Sequence, residues 1–246
     1  MSIKERELNI LSYLEKNKEA SVKELCSIFF VSEPTMRRSL SALANAGKLL
    51  RTHGGAAIRS VPGENIPLAF REREHSDAKA IIGRKCLSLI PDGATVMVDG
   101  SSTALALLRE LEASRNVIVV TNSAKASLIL AESGVKTFVT GGELSHATYA
   151  YTGGHAERFL REFNADICFF SVRTLTSDGR LTDNAIADNL VRSVMLKQSA
   201  KRVLMLDSKK LGEPCLNTLC TLDEVDYVVC ERDISESFPR YREKIV

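Results

Sequence analysis

Small polar residues at the end of one predicted strand could hold an anion. Five of them follow the β-branched run 95–98 and precede a helical segment, namely Asp99, Gly100, Ser101, Ser102 and Thr103. Backbone N–H groups and hydroxyls at the start of a helix, together with the helix dipole, favour a bound negative charge. We therefore expect a phosphate group here, although an ordinary turn with a good helix cap has the same composition.

Polar residues also follow three further predicted strands. They are Thr121, Asn122 and Ser123 after the run 117–120, Gly141 and Gly142 after a strand that ends at Thr140, and Lys209 after a strand that ends at Asp207. The carboxyl ends of parallel strands meet at one edge of a sheet, where α/β proteins bind their ligands. We therefore expect these loops to converge on one pocket that contains a cation.

Six short β-branched or apolar runs, which alternate with helical segments, predict the sheet that would position these loops. The runs are 95–98, 117–120, 137–139, 167–172, 203–206 and 225–229. Such alternation is typical of βαβ units. It predicts an α/β domain with a mostly parallel sheet that is covered by helices on both faces.

A second group of residues has the types and spacing of a DNA-binding surface. Residues 34–63 contain five lysines or arginines and no acidic residue, and residues 1–60 carry a net charge of +4 against −2 for the remainder. A positive strip of this kind suits a phosphate backbone. A helical dimerisation module with a basic surface is the alternative. The candidate contact residues are Ser32, Thr35, Arg37, Arg38, Arg51, His53 and Gly54.

The elements around these residues form a winged helix-turn-helix pattern, which is all-α apart from the wing. After two short helices, Ser32 and Pro34 mark the start of a third helix at about 33–45. Two short predicted strands around a glycine pair indicate the wing. We expect the first turn of the third helix to enter the major groove. We expect a DNA-binding domain at 1–59, a linker at 60–75 and the α/β domain at 76–246.

The N-terminal residues also resemble a known family. The stretches 22–25, 31–40 and 47–56 are similar to the DeoR-type helix-turn-helix, and the run of arginine, threonine, histidine, two glycines and alanine at 51–56 is specific to it. The resemblance implies a DNA-binding transcription regulator, and the family's usual mode of action implies a repressor. Ser39 is a departure, because the family usually has an aspartate after the paired arginines.

The second domain resembles the DeoR-type effector domain, whose pattern passes through 99–103, 121–123, 141–142, 165–166 and 207–209. That domain is similar in fold to sugar-phosphate isomerases and deaminases of the ribose-5-phosphate isomerase type. The resemblance implies a phosphorylated sugar as effector, with its phosphate on the serine and threonine loops and its hydroxyls near Asp99, Asp166 and Lys209. Arg173 stands where the family has small residues, and it either adds an anion contact or points to solvent.

The rival hypothesis is an enzyme that isomerises or deaminates a phosphosugar, with Asp166, Asp183 or Asp188 as base and Lys209 as cation. We expect a sensor and no catalysis, because residues 173–188 lack the segment rich in glycine, lysine and glutamate that such isomerases display. An attached DNA-binding head also favours sensing. An architectural DNA-binding protein is a third possibility, but it leaves the polar strand ends unexplained.

The remaining expectations concern cofactors, location and assembly. No motif demands a metal or a cofactor, because the six cysteines form neither a CxxC pair nor a cluster with histidine at zinc spacing. No apolar run reaches the about 18 residues that span a bilayer, and the charged N-terminus is unlike a signal peptide. We expect a cytoplasmic protein without a membrane partner, which binds double-stranded operator DNA as a homodimer or homotetramer.

Overall fold

The structure, a computed structural model, describes residues 3–17, 19–46, 48–52, 54–58, 68–111 and 116–246. The chain divides into two compact units, residues 1–62 and 63–246. Among the described residues, none of the helices has the length and apolar character needed to cross a membrane.

The first unit combines three helices with a small antiparallel sheet. Its elements are α1 (Ile3–Asn17), β1 (Glu19–Ser21), α2 (Val22–Phe29), α3 (Glu33–Asn45), β2 (Leu49–Arg51) and β3 (Gly55–Ile58), with the strands in the order β1-β3-β2. Helix α3 has the predicted bounds, and β2 with β3 forms the predicted wing. The winged helix-turn-helix is therefore confirmed, with β1 as an additional strand that the sequence did not indicate.

The core of this unit follows the spacing of its apolar residues. Met36, Leu40 and Leu43 point inward from α3, and each is at most 3% exposed. Strand β1 packs so closely on β3 that a Cβ added at Gly55 would lie 2.0 Å from the backbone oxygen of Ala20. Only glycine fits at position 55 without separating the two strands.

The second unit is built on a parallel sheet of six strands. They are β4 (Thr95–Val98), β5 (Ile118–Thr121), β6 (Lys136–Val139), β9 (Ala165–Phe170), β12 (Ser199–Leu206) and β14 (Tyr227–Cys230), in the order β14-β12-β9-β4-β5-β6. Each neighbouring pair runs parallel. All six correspond to predicted runs, so the α/β prediction is confirmed.

Helices cover both faces of this sheet. Alternate residues point to opposite sides, so that Phe169 and Phe170, both fully buried, belong to two different apolar clusters. One cluster includes side chains of α5 (Ser76–Leu87), α6 (Ser102–Arg109) and α7 (Ala124–Glu132), and the other includes those of α8 (Gly154–Leu160) and α9 (Ile186–Lys197).

Smaller elements complete the unit. Helix α4 (Leu68–Arg73) lies in the segment that was predicted to be a linker and belongs to the second unit. Two short strands, β7 (Glu143–Leu144) and β8 (Tyr151–Thr152), pair antiparallel. Strands β10 (Thr174–Leu175), β11 (Arg180–Asp183) and β13 (Asn217–Thr221) form a separate antiparallel sheet.

Candidate functional site

The carboxylate of Asp99 lies at the carboxyl end of β4 and is held from three directions. Its Oδ1 accepts a hydrogen bond from the backbone N–H of Ser101 (3.0 Å). Its Oδ2 accepts from the backbone N–H of Ser171 (3.3 Å) and from Nε of Arg192 (2.9 Å). Asp99 is only 1% exposed. A buried charge of this kind persists because it is paired and hydrogen-bonded.

Arg192 of α9 connects Asp99 to a second carboxylate. Its Nη1 donates to Oδ2 of Asp183 and to Oδ1 of Asn189, both at 2.9 Å. Burial disfavours the charged guanidinium, but Asp183 and Asp99 outweigh this effect and raise the pKa of Arg192. Burial also opposes ionisation of Asp183, yet Arg192 and nearby backbone N–H groups leave its pKa below the usual range. One arginine therefore pairs with both carboxylates.

Asp188 lies between two recesses. The larger has a volume of about 340 Å³ and is lined by Ser145, Thr152, Asn184, Ala185, Ile186, Ala187, Asp188 and Leu216. The smaller is lined by Arg71, Asp99, Gly100, Asn122, Thr148, Ala150, Asp188 and Arg192, and its free volume of about 10 Å³ holds no more than one water molecule. Burial raises the pKa of Asp188, although Arg192 attracts its charge.

Three buried side-chain oxygens, two of them on residues that line the smaller recess, make no hydrogen bond to any residue that the structure describes. They are Oγ1 of Thr103, Oδ1 of Asn122 and Oγ1 of Thr148, on residues that are at most 4% exposed. Leaving such a group without a partner costs about 1–3 kcal/mol. A ligand with several hydroxyls would supply the missing partners.

The segment 145–151 covers the smaller recess. It is anchored to the end of β5, because Asn122 O accepts from Tyr151 N (2.6 Å) and Tyr149 O accepts from Ala124 N (2.9 Å). A Cβ added at Gly100 would lie 2.8 Å from Cβ of Ala150. Gly100 is thus required by close packing.

Two lysines, Lys79, which is buried, and Lys210, which is half-buried, lie near this site. Nζ of Lys210 donates to Oγ of Ser171 (2.7 Å), and Nζ of Lys79 donates to the backbone oxygens of Arg71 and Glu74. Burial, reinforced by the charges of Lys79 and Arg71, lowers the pKa of Lys210 to about 8. Burial also lowers the pKa of Lys79. This end of the sheet therefore carries cations as well as carboxylates.

The first unit presents a separate basic surface on the early turns of α3. Ser32 and Thr35 share a hydrogen bond between their hydroxyls (3.0 Å). Arg37 and Arg38 are exposed, and Nη2 of Arg37 lies 3.2 Å from Oε2 of Glu33. An exposed ion pair of this kind contributes little and is easily exchanged for a phosphate.

The wing and the start of α1 add two observations. Arg51 and Gly54 are exposed on the wing, whereas His53 lies outside the described residues. Oγ of buried Ser39 accepts from Nε of Arg6 (3.0 Å). Ser39 therefore connects α3 to α1 and leaves Arg38 exposed to solvent.

Comparison with known proteins identifies both units. Residues 6–61 match the DeoR-like helix-turn-helix domain, and residues 74–232 match the DeoR C terminal sensor domain. The chain belongs to the DeoR family. It is a DNA-binding transcription regulator.

Relatives of this DeoR-family regulator are similar over nearly their whole length. The L-fucose operon activator of Haemophilus influenzae is 30% identical over 96% of this chain and 94% of its own. The glycerol-3-phosphate regulon repressor of Escherichia coli is 28% identical over 91% and 89%. Among solved structures, ribose 5-phosphate isomerase A of Methanocaldococcus jannaschii is 17% identical, with a TM-score of 0.43 over 56% of this chain and 55% of its own.

Three predicted effector residues lie elsewhere in the DeoR-family fold. Asp166 is the second residue of β9, where its Oδ2 accepts from Thr95 N (2.8 Å). It therefore lies at the amino edge of the sheet, opposite the carboxyl edge. Lys209 is exposed, and Lys210 is the lysine whose ammonium lies near Asp99, since it donates to Ser171, whose N–H donates to Asp99. Arg173 is also exposed and does not line either recess.

Several other predicted residues cap helices. Oγ of Ser101 accepts from Ala104 N and Oγ of Ser123 accepts from Ala126 N, at the starts of α6 and α7. Oγ1 of Thr121 accepts from Ser123 N. Asp99, Gly100 and Asn122 line the smaller recess, whereas Ser102, Gly141 and Gly142 do not. Sequence reasoning missed Arg71 and Arg192, and it named Asp183 and Asp188 only as candidate bases of the rival enzyme hypothesis.

Proposed function

We propose that this DeoR-family regulator represses genes of carbohydrate metabolism and that a phosphorylated sugar, bound at the carboxyl ends of β4 and β5, releases it from DNA. The observation that carries this proposal is the pair of buried oxygens without hydrogen-bond partners among the described residues, on Asn122 and Thr148, which line the smaller recess together with Asp99 and Arg192. Native proteins rarely leave such groups without a partner.

The charges at this site suit both parts of such a ligand. Carboxylates are acceptors only, so Asp99 and Asp188 can take hydrogen bonds from sugar hydroxyls. Lys210 carries positive charge in the same region, which favours the phosphate. The larger recess next to Asp188, at about 340 Å³, has the volume of a small-ligand pocket.

The names of relatives support a small phosphorylated or carbohydrate effector. One is the repressor of a glycerol-3-phosphate regulon and another is the activator of an L-fucose operon. For this chain we propose repression, with an effector that acts by weakening the complex with DNA.

The proposed function does not include catalysis. A general base must be free to take a proton, whereas Asp99 and Asp183 are both committed to Arg192. We propose that the carboxylates position hydroxyls of the effector. Turnover of ribose 5-phosphate or glucosamine 6-phosphate by the full chain would contradict this.

We further propose that residues 1–59 bind DNA, that 76–246 bind the effector and that the chain acts as a homodimer or homotetramer. Within the predicted linker of 60–75, helix α4 belongs to the second unit, so the connection that we propose is shorter and ends at about residue 67. Two-fold symmetry would match the paired half-sites of an operator. Sedimentation with and without DNA tests the assembly.

The experiment that tests the function is fluorescence anisotropy of the full chain on DNA from upstream of its own gene, at one fixed salt concentration. Glycerol 3-phosphate, ribose 5-phosphate and glucose 6-phosphate are added in turn, with the unphosphorylated compounds as controls. Specific binding that one sugar phosphate weakens supports the proposal. Specific binding that responds to none of a broad panel contradicts it.

A further inference from the structure

Helix α4 is the first helix after residues 59–67, and it is firmly attached to the second unit. Leu68 is fully buried, and its backbone N–H donates to Ala147 O (2.7 Å). The carboxylate of Glu72 pairs with both Arg109 of α6 and Lys125 of α7. These contacts hold both ends of the short helix.

Arg71 lies between those two attachments and belongs to the candidate effector site. It lines the smaller recess together with Asp99, Asp188 and Arg192. Burial and the charge of Arg192 lower the pKa of Arg71. The charges of Asp183, Asp188 and Asp99 act in the opposite direction and attract its guanidinium. The site therefore contains an arginine from α4 among its carboxylates.

Lys79 strengthens the same attachment from α5. Its buried ammonium donates to the backbone oxygens of Arg71 and Glu74 at the end of α4. Cations at a helix C-terminus satisfy carbonyls that have no partner within the helix. The backbone position of Arg71 is thus fixed while its side chain extends into the recess.

The smaller recess, which Arg71 lines, is too small for a sugar phosphate. Its free volume is about 10 Å³, whereas small-ligand pockets measure about 300–1,000 Å³. A ligand that reaches Asp99, Asn122 and Thr148 must displace a lining side chain, and Arg71 is the one that the short helix α4 supplies. Its hydroxyls can replace the guanidinium as hydrogen-bond donors to the carboxylates.

We propose that Arg71 acts as a latch, which holds α4 to Asp99 and Asp188 in the effector-free protein and which the effector displaces when it binds. This inference rests on the proposed function, because it requires a ligand at this site. Displacement of the Arg71 latch would loosen α4 and thereby the start of the second unit. The change would reach the DNA-binding unit through residues 59–67.

The latch makes effector binding and α4 docking mutually exclusive. Coupling of this kind is reciprocal, so whatever weakens the docking of α4 must strengthen effector binding by the same factor. A residue with a purely structural role has no such effect, because its loss would weaken the site or leave it unchanged.

The first test uses no ligand and no DNA. Amide hydrogen exchange of residues 68–73 is measured in the full chain for Arg71→Met, Asp188→Asn and the double variant, with Arg73→Met as control, because Arg73 is exposed on the same helix. We expect each single change to raise the exchange of α4 about tenfold, and the double variant to add little, because both remove the same attraction between Arg71 and Asp188. Unchanged exchange, or fully additive effects, would overturn the latch. Arg71→Lys replaces Arg71→Met if the latter does not fold.

The second test is calorimetric titration of the same full-length variants with glycerol 3-phosphate, ribose 5-phosphate and glucose 6-phosphate. A sugar phosphate that binds the wild-type chain should bind Arg71→Met about tenfold more tightly and should raise exchange of residues 68–73 in the wild type. Equal or weaker binding to Arg71→Met overturns the inference. If no sugar phosphate binds either chain, the proposed effector class is contradicted instead. The exchange experiment alone then tests whether Arg71 holds α4.

Discussion

Nε of Arg192 lies 2.9 Å from Oδ2 of Asp99, although the two residues are 93 positions apart in the chain. The pair joins α9 to the end of β4 across the carboxyl edge of the sheet. Because a second bond leads from Arg192 to Asp183, one arginine fixes two acidic residues.

Arg192→Met should destabilise the second unit strongly, because it leaves Asp99 and Asp183 buried without their cation. Loss of one partner of a buried pair costs about 3–5 kcal/mol. The control is Arg180→Met, whose ion pair with Asp178 is exposed and contributes little to stability. Calorimetry of the two variants measures the difference. If Arg192→Met lowered the free energy of unfolding no more than the control does, the ion pairs of Arg192 would not be needed for stability.

Lys210 and Lys209 are neighbours with different predicted roles. Lys210→Met should weaken sugar phosphate binding about tenfold, because it removes a cation near Asp99. Lys209→Met should leave binding within about twofold, because that side chain is exposed. Calorimetric titration compares both with wild type. Equal effects of the two changes would mean that Lys210 does not face the ligand.

Stability should depend on pH through Lys210. Its pKa is about 8 in the folded chain and 10.5 in a free side chain, so between these values the unfolded chain binds more protons. The contribution of Lys210 to the free energy of unfolding therefore rises with pH from about 8 to 10.5. Below pH 8 the lysine is charged in the folded chain, and the cost of holding that charge there is fully present. Lys210→Met should gain stability over wild type at pH 7 and lose that gain toward pH 10. Melting temperatures of both proteins across this range test it, and a constant difference would contradict it.

DNA binding should depend on the early turns of α3. Arg38→Ala and Arg37→Ala should each weaken operator binding and, if the residue contacts a phosphate, reduce the salt slope by about one. Glu33→Gln should strengthen binding at low salt, because it frees Arg37 and removes a negative charge. Lys136→Ala, on an exposed strand of the second unit, is the control. A full salt slope in both arginine variants would exclude phosphate contacts.

Gly55→Ala should disrupt the wing, whereas Gly54→Ala should be tolerated. A Cβ at position 55 would meet Ala20 O at 2.0 Å, but a Cβ at 54 meets no described atom within 4 Å. We expect Gly55→Ala to unfold the first unit or to part β1 from β3, with loss of operator binding. Circular dichroism and anisotropy measure both effects, and a folded Gly55→Ala chain with full affinity would refute the steric argument.

Sequence reasoning succeeded where the physical cause is local. Short β-branched runs predicted the six central strands, and Asp99 and Asn122 reach one pocket because each directly follows a parallel strand. Asp166 was misplaced because it comes at the beginning of β9, and strand direction carries it to the other edge. Arg71 and Arg192 gave no signal, because an arginine in a helix is usually exposed. Their burial depends on partners that are distant in the chain.

The segment 145–151 has a role beyond covering the recess. It touches β5 through Tyr151, packs Ala150 against Gly100, places Thr148 in the recess and accepts the N–H of Leu68 through Ala147. Exchange of these seven residues between relatives would alter the wall of the proposed effector site while the Asp99–Arg192 pair stays in place. Divergence of ligand preference within the family can therefore proceed through one short loop, without cost to the framework of the sheet.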